Sequence, residues 1–554
     1  MAFNIADLFE HTVDVVGDRT ALIVGETQLT YSQVDEQANR LAHHLAAAGV
    51  GPGDHVGIHG QNSVEWMVAM IAAFKLRAVP ININFRYVAD ELAYLFDNAD
   101  LVALVHDVAF APRVAEVAPK ISDLRHFVAM PGPPDEESAA AAEEPDVRRA
   151  LAELGSIPFA DALAAGSPER DFAERSADDH YVIYTGGTTG MPKGVVWRHE
   201  DVFFALGGGV DAYTQQRVSS ERELADKAAA TETPLISLST PPLMHGAAQW
   251  STLRFWFEGH TVVFLPRFSP DGVWATIERE RVNSVMITGD AMGRPLVEAL
   301  AADRDRYDLT SLFVLASSAA VFSPTVKDRF LELLPNVMLL DAIGSSESGH
   351  NGMVTVAKGA TAMKGGGPTV LPGRDATVLD DELRPVEPGS GTVGRLARGG
   401  NIPLGYHKDE AKTAATFVVA ANGQRYVVPG DFATIEADGS ITLLGRGSVC
   451  INSGGEKIFP EEVEAALKAH PDVYDVVVVG VPDERWGSSV AAVVQPRHRD
   501  APPGLDELDA HCRPRIAGYK VPRQLHLVDE IVRSPAGKPD YPWATQVATG
   551  EQPA

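Results

Sequence analysis

Residues 184–194 read YTGGTTGMPKG, with four glycines, three threonines and one lysine in eleven positions. Gly186, Gly187, Gly190 and Gly194 let backbone N–H groups turn inward, Thr185, Thr188 and Thr189 add hydroxyl donors, and Lys193 adds a single cationic charge. Phosphate oxygens require that combination of donors and charge. A Walker-type loop needs a Gly-Lys-Ser/Thr ending, and here Met191 and Pro192 precede Lys193, so that pattern fails. A plain flexible turn is the competing reading, disfavoured by the density of donors around one lysine.

Further along lie GSSESG at 344–349, VPGD at 428–431, GRGS at 445–448 and SPAGK at 534–538. Each alone is weak: Gly-Asp is a turn, and Lys538 between Pro and Gly would be a surface lysine. His245 in PPLMHG reads nearly as well as a packed core histidine. As an ordered set of five, however, the motifs resemble the adenylate-forming superfamily of acyl-CoA synthetases, peptide-synthetase adenylation domains and beetle luciferases. The resemblance covers nearly the whole chain.

That resemblance implies a large N-terminal domain, residues 1–445, of α/β subdomains plus a small β-rich subdomain. A small mobile α+β domain, residues 446–554, follows, with the active site in the cleft between the two. It places Thr185, Gly186, Gly187, Thr188, Thr189, Gly190 and Lys193 on the ATP phosphates. Gly344, Ser345, Ser346 and Glu347 continue the nucleotide site, with Glu347 and Thr188 on Mg2+, a hard cation suited to oxygen ligands. The family usually has a tyrosine two residues before Ser345; this chain has Ile343, so apolar packing on the adenine is expected in its place. Asp431 corresponds to the carboxylate that accepts from the ribose hydroxyls, and Arg446 to the arginine on ribose and phosphate. His245 and Gly246 border the acyl pocket. Gly454, Gly455 and Glu456, in INSGGEKIFP, match the loop that lines the pantetheine tunnel of CoA. Lys538 corresponds to the adenylation lysine, and the hinge position, usually Asp or Lys, is Ser448.

These loops need rigid elements to position them. Between residues 20 and 110, TALIVGETQLTY predicts a hairpin, HVGIHG a buried strand, SVEWMVAMIAAFKL a helix and LVALVHD another strand, which is α/β grammar. SVMITGD, SLFVLASSAAV and VMLLDAIGSSESG each end a strand in a turn where ligands collect in α/β sheets. From about 365 to 445 the texture turns to short strands, with Asp438-Gly439 a hairpin signal. PEEVEAALKAH predicts a helix with Pro460 in its first turn and Val463, Ala466 and Leu467 on one face. Two strands, a helix over GLDELDAHCRPRI and a strand over RQLHLVD complete the last unit. Residues 131–150, rich in Pro, Ala and acid, predict an exposed loop. Small residues in HGAAQW, GDAMGRP and ASSAAVF offer an apolar pocket lining, though α/β core segments look the same. LGGGVDAY at 206–213 would leave room for a rigid ring system, or else shape a helix end.

Composition bounds the rest. The chain has 554 residues, 45% hydrophobic and 22% charged, and a formal net charge of -28. So acidic a surface disfavours nucleic acid and anionic lipid, and any phosphate site must be local. The acidic opening MAFNIADLFEHTVDVV is unlike a signal peptide, and the run WMVAMIAAF stops at Lys75, short of the ~20 residues a span needs. No integral membrane segment is expected, and two distant cysteines point to the cytoplasm. The reading is an enzyme, an AMP-forming acyl-CoA ligase with ATP, Mg2+ and CoA. Its acid would be a long-chain or steroid side-chain carboxylate, since stretches such as MPKGVVWRHED resemble actinobacterial steroid side-chain ligases. The sequence leaves homo-oligomerisation open. The rivals are an acyl-AMP ligase serving a carrier protein, separable by CoA dependence, and a noncatalytic binding protein, separable by pyrophosphate release.

Overall fold

Ser63 begins the helix Val64–Lys75, buried at every position but Glu65, by accepting the Trp66 N–H at 3.2 Å. Lys75, which ends the apolar run, is itself buried. It pairs with Glu10 and, at 2.7 Å, with Asp35, and Arg175 joins Glu10 at 2.9 Å. Those partners are what make a buried ammonium tolerable.

The computed structural model describes residues 3–185, 191–211, 214–356, 367–453, 456–483, 486–534 and 537–550. Its contacts form two units: Met1–Met286 with Tyr307–Leu312 and Asn401–Ala415, and Ile287–Arg306 with Phe313–Gly400 and Thr416–Ala554.

The first unit holds a sheet whose inner strands, Val79–Asn82, His55–His59, Leu101–Asp107 and His126–Met130, are parallel. Its other flank is antiparallel: His180–Thr185 pairs with Lys193–Arg198, which pairs with Gly405–Tyr406. Thr185 and Lys193 face each other across that pair, so the glycine-threonine loop is the connection of a hairpin. Thr20–Val24 and Thr27–Thr30 form the expected antiparallel hairpin, and Thr20–Val24 runs parallel to Thr261–Phe264.

In the second unit the strands Val314–Ser317 and Met338–Ser345 are parallel, and Gly349–Val356 returns antiparallel. The β-rich stretch follows, including the hairpin of Asp431–Ile435 with Ile441–Arg446, turned at Gly439 with φ +84°. The final part packs the helices Pro460–Lys468 and Tyr541–Thr549 on the strands Val473–Asp483 and Gly487–Pro496, with Gln524–Leu527 parallel to the latter. Val463, Ala466 and Leu467 are buried as their spacing predicted.

Two expectations are corrected, and one helix lacks a local signal. Residues 131–150 are mostly helical: Glu136–Glu143 is capped by Asp135, and Pro145–Leu154 starts on proline and ends at Gly155 with φ +62°. Alanine content and sound caps outweigh the lack of apolar surface, and Val147 and Ala150 supply the little that packs. The helix Tyr541–Thr549, capped by Asp540, has no strong apolar period and was not foreseen. The glycines after Leu206 shape a helix end: a Cβ on Gly207 would lie 2.9 Å from Phe203 and one on Gly209 2.7 Å from Phe203 and Phe204. Phenylalanine rings occupy the space beside Gly207 and Gly209, and Arg254 and Glu258 that beside Gly208, so no room for a sterol opens at these glycines. Residues 212 and 213 lie outside the described residues.

Candidate functional site

In the first unit, Lys193 reaches an ion pair with Asp409, just beyond the Gly405–Tyr406 strand that pairs beside it. The hairpin that carries Lys193 is fixed at its base by Asn82. Its amide donates to Tyr184 O at 2.9 Å and Met244 O at 2.7 Å and accepts from Tyr184 N at 2.8 Å. One buried amide therefore ties the root of the glycine-threonine loop to the residue before His245. His245 stands at the N-cap of the helix Gly246–Phe257, partly buried, as is Gly246. Thr185 is described as the last residue of its strand; Gly186, Gly187, Thr188, Thr189 and Gly190 lie outside the described residues.

In the second unit, Ser345, Ser346 and Glu347 form the tip of the hairpin between Met338–Ser345 and Gly349–Val356. The tip is tight: a Cβ on Gly344 would run into Gly349 O, and Gly349 itself has φ +68°. Ser345 Oγ lies 2.9 Å from Ser348 Oγ and takes the Ser348 N–H at 3.1 Å, and Asn351 Nδ2 donates to Ser348 at 2.7 Å. Ile343 is 7% exposed and packs with Val370, Val378, Leu396 and Ile441, so little of its surface is left to meet an adenine. Asp431 and Arg446 are direct cross-strand partners, with Nε 3.2 Å from Oδ1.

Lys538 sits in a turn closed by Ser534 N to Lys538 O at 2.9 Å and Gly537 N to Ser534 O at 2.8 Å. Burial pulls its pKa below the ordinary lysine value and Arg446 adds to that, while Glu347 and Asp431 oppose both. For Arg446, burial is the largest influence against charge, and Asp431 and Glu347 overcome it, holding the guanidinium above its usual pKa. Two cations and two carboxylates, drawn from a hairpin tip, a strand pair and a turn, thus share one electrostatic neighbourhood. Such a set can grip a ribose and a phosphate and neutralise charge that develops on phosphorus. The strands Ile451–Ser453 and Glu456–Ile458 form the next hairpin, Ser453 opposite Glu456, with Gly454 and Gly455 outside the described residues.

The AMP-binding enzyme family matches residues 9–407, and the AMP-binding enzyme C-terminal domain matches residues 462–538. The chain belongs to the AMP-binding enzyme family. It is 54% identical, over 99% of its length and 96% of the relative's, to a medium/long-chain-fatty-acid–CoA/3-oxocholest-4-en-26-oate–CoA ligase of Mycobacterium marinum. A 3-oxocholest-4-en-26-oate–CoA ligase of Rhodococcus rhodochrous is 53% identical over all of this chain and 97% of its own. ATP-bound MatB from Rhodopseudomonas palustris shares the fold, with a TM-score of 0.78 at 22% identity over 100% of this chain and 99% of that one. The protein is therefore an enzyme, an acyl-CoA ligase that uses ATP and CoA as substrates.

The structure adds groups of this ligase that its sequence did not single out: Asn82 and Asp409 around the loop, and Glu461 beside Arg446. No local motif marks them, because each acts on a partner 15 to 216 residues away. Glu461 lies in the first turn of Pro460–Lys468 and accepts the Arg446 N–H at 3.3 Å. Gly445, with φ +146°, makes room, since a Cβ there would run into Glu461 Oε2. Burial, with Glu464 adding, pushes the Glu461 carboxyl up to about 8 from 4.5. Between those values the folded ligase binds a proton that the unfolded chain has released, so stability falls as pH rises through the window. Glu461→Gln removes the titration. Its melting temperature should gain on the parent by several degrees more at about pH 8 than at about pH 5. Calorimetry at the two pH values checks this, and a gap that does not change with pH would show Glu461 to be ionised in the fold.

Proposed function

We propose that this ligase activates a steroid side-chain carboxylate, with medium- and long-chain fatty acids as weaker substrates, by way of an acyl-adenylate. The convergence of Lys538, Arg446, Asp431 and Glu347 carries the adenylation step, and the two relatives' printed substrates motivate the acid. The acid arrives ionised, because a carboxyl pKa near ~4 lies far below neutral pH, so attack on the α-phosphate needs no general base. Lys193 and the hydroxyls of Thr185, Thr188 and Thr189 hold the phosphates, and Asp431 accepts from the ribose. Arg446 and Lys538 offset the charge that builds on the α-phosphate as pyrophosphate departs. Ser346 and Glu347 offer hydroxyl and carboxylate oxygens at one tight tip, a donor set that fits Mg2+. Bound there, the ion would neutralise charge on the triphosphate. Residues 446–554 then reorient about residues 445–448, and the hairpin carrying Glu456 comes to serve the CoA thiol. That thiol gives up its proton to solvent and its sulfur attacks the acyl-adenylate, so that the C–S bond forms while the C–O bond to AMP breaks and AMP leaves with that bond's electron pair.

No helix among the described residues is long and apolar enough to cross a membrane, and Cys450 and Cys512 are not joined in a disulfide. We place the enzyme in the cytoplasm, the compartment that suits a chain with only two cysteines and substrates such as ATP and CoA.

The acid is tested by assaying a C24 or C27 steroid acid, palmitate and octanoate with ATP, Mg2+ and CoA. Each buried CH2 contributes about 0.8 kcal/mol, so a sterol nucleus that enters the pocket should raise kcat/KM at least tenfold over octanoate. If palmitate or octanoate wins by tenfold or more, the ligase stands and the steroid does not.

A further inference from the structure

The GDAMGRP segment forms the first turns of the helix Gly289–Ala302, and these turns touch the part of the chain that bears Lys538. Gly537, at φ +71°, comes so close that a Cβ on it would lie 2.6 Å from Ala291 Cβ and 3.3 Å from Thr288 O. Asp290 is 6% exposed. Its Oδ1 accepts the Ser323 N–H at 2.8 Å, which fixes the side chain. Its Oδ2 faces Lys468 Nζ at 3.5 Å and Arg294 at 3.7 Å. From Lys468, itself 3% exposed, a line of alternating charge continues: Asp475 at 3.3 Å, then Arg533, which grips both Asp475 oxygens at 2.7 and 2.8 Å. Arg533 also donates to Gly537 O at 3.0 Å, inside the Lys538 turn. One turn further along the helix, Arg497 pairs with Glu298 at 2.8 Å, and the Arg294 and Arg497 guanidinia each lie 5.6 Å from the Tyr474 ring.

We propose that Asp290 is a positioning residue for adenylation, which seats the Lys538 turn against the Gly289–Ala302 helix through Lys468, Asp475 and Arg533. The inference rests on the ligase reading and on Lys538 acting in the first half-reaction. Asp290 touches no reacting atom. Its charge anchors a chain of buried ion pairs, and those pairs set where the Lys538 backbone stands. A buried pair is costly to break from one side only, so loss of the anchor should loosen the seat as a whole. The arrangement matters for the half-reaction that needs Lys538 and is dispensable for the other, when residues 446–554 have moved.

The test uses the full-length enzyme with Asp290→Asn, an isosteric change that keeps the Ser323 contact. Pyrophosphate release should fall by about tenfold to a hundredfold in kcat with the KM for ATP unchanged, the scale of a mispositioned group. Thioester formation from supplied acyl-adenylate and CoA should hold or rise, and Asp290→Glu should restore part of the lost rate. Lys468→Met should repeat the split, which guards against a folding defect peculiar to position 290. Equal loss in both half-reactions, or no loss in either, overturns the seat. Lys538→Ala run in parallel separates the two failures: if it shows the split and Asp290→Asn does not, only the seat is wrong. If Lys538→Ala shows no split, the assignment beneath it has failed.

Discussion

Lys538→Ala should lower acyl-adenylate formation by about 10²–10³-fold, the scale on which loss of one preorganised charge donor is felt, and leave thioester formation from supplied adenylate nearly intact. The reason lies in when its charge is needed. As the carboxylate attacks the α-phosphate, negative charge gathers on the oxygens around phosphorus, and an ammonium held in a partly buried turn stabilises that state more than it stabilises the bound reactants. In the thioester step the attacked atom is a carbonyl carbon and the leaving group is AMP, so the same lysine has little to offset. Burial and Arg446 pull the Lys538 pKa down while Glu347 and Asp431 resist, so the carboxylates also protect the charge that the step requires. Single-turnover measurement of both half-reactions decides the matter. Parallel loss in the two would show that Lys538 supports the fold of residues 446–554 and not the chemistry.

Glu347→Gln should reduce adenylate formation by about 100-fold at moderate Mg2+, equivalent to ~2.7 kcal/mol of transition-state stabilisation. The carboxylate stands at the tip of a hairpin whose geometry is fixed by Ser345, Ser348 and Asn351, so the amide will occupy nearly the same place. What changes is charge, and a neutral amide oxygen is a poorer ligand for a hard dication. The rate should therefore recover in part as Mg2+ is raised, and chelation with EDTA should abolish adenylation in parent and variant alike. Glutamine also removes a carboxylate that holds up the Lys538 and Arg446 charges, so the variant's pH profile should shift toward lower pH on its basic limb. A variant with parental rate and parental Mg2+ dependence would remove Glu347 from the metal site.

Much of the architecture was legible because it is written locally. The period of SVEWMVAMIAAFKL, the Asp438-Gly439 turn and Pro460 at a helix start each act within a few residues, and the helix or hairpin forms as they dictate. In the segment 131–150 low apolar content does not preclude regular structure, because Asp135, Pro145 and Gly155 carry the helix signals themselves. The glycines after Leu206 make the opposite case: a glycine shows where a side chain is missing and not what fills the space, and Phe203 and Phe204 fill it.

The sequence by itself determined the kinds of chemical group and their order along the chain: a donor-rich loop with Lys193, a hairpin tip with Glu347, the Asp431 and Arg446 turns, and a lysine in a Pro-Gly turn near the end. It also determined the alternation of strands and helices, since backbone hydrogen bonding and apolar period are properties of short windows. Only the tertiary structure decided which charges share a neighbourhood. Asp431 opposite Arg446 is set by strand register, Lys193 beside Asp409 by the pairing of Gly405–Tyr406 with the loop's return strand, and Asp290 beside Lys468 by the packing of a helix turn on a distant segment. Coulomb energy and desolvation depend on distance through space and on burial, and neither scales with separation along the chain. That is why Asp409, Glu461 and Asp290, unremarkable in any motif, take their meaning from the fold.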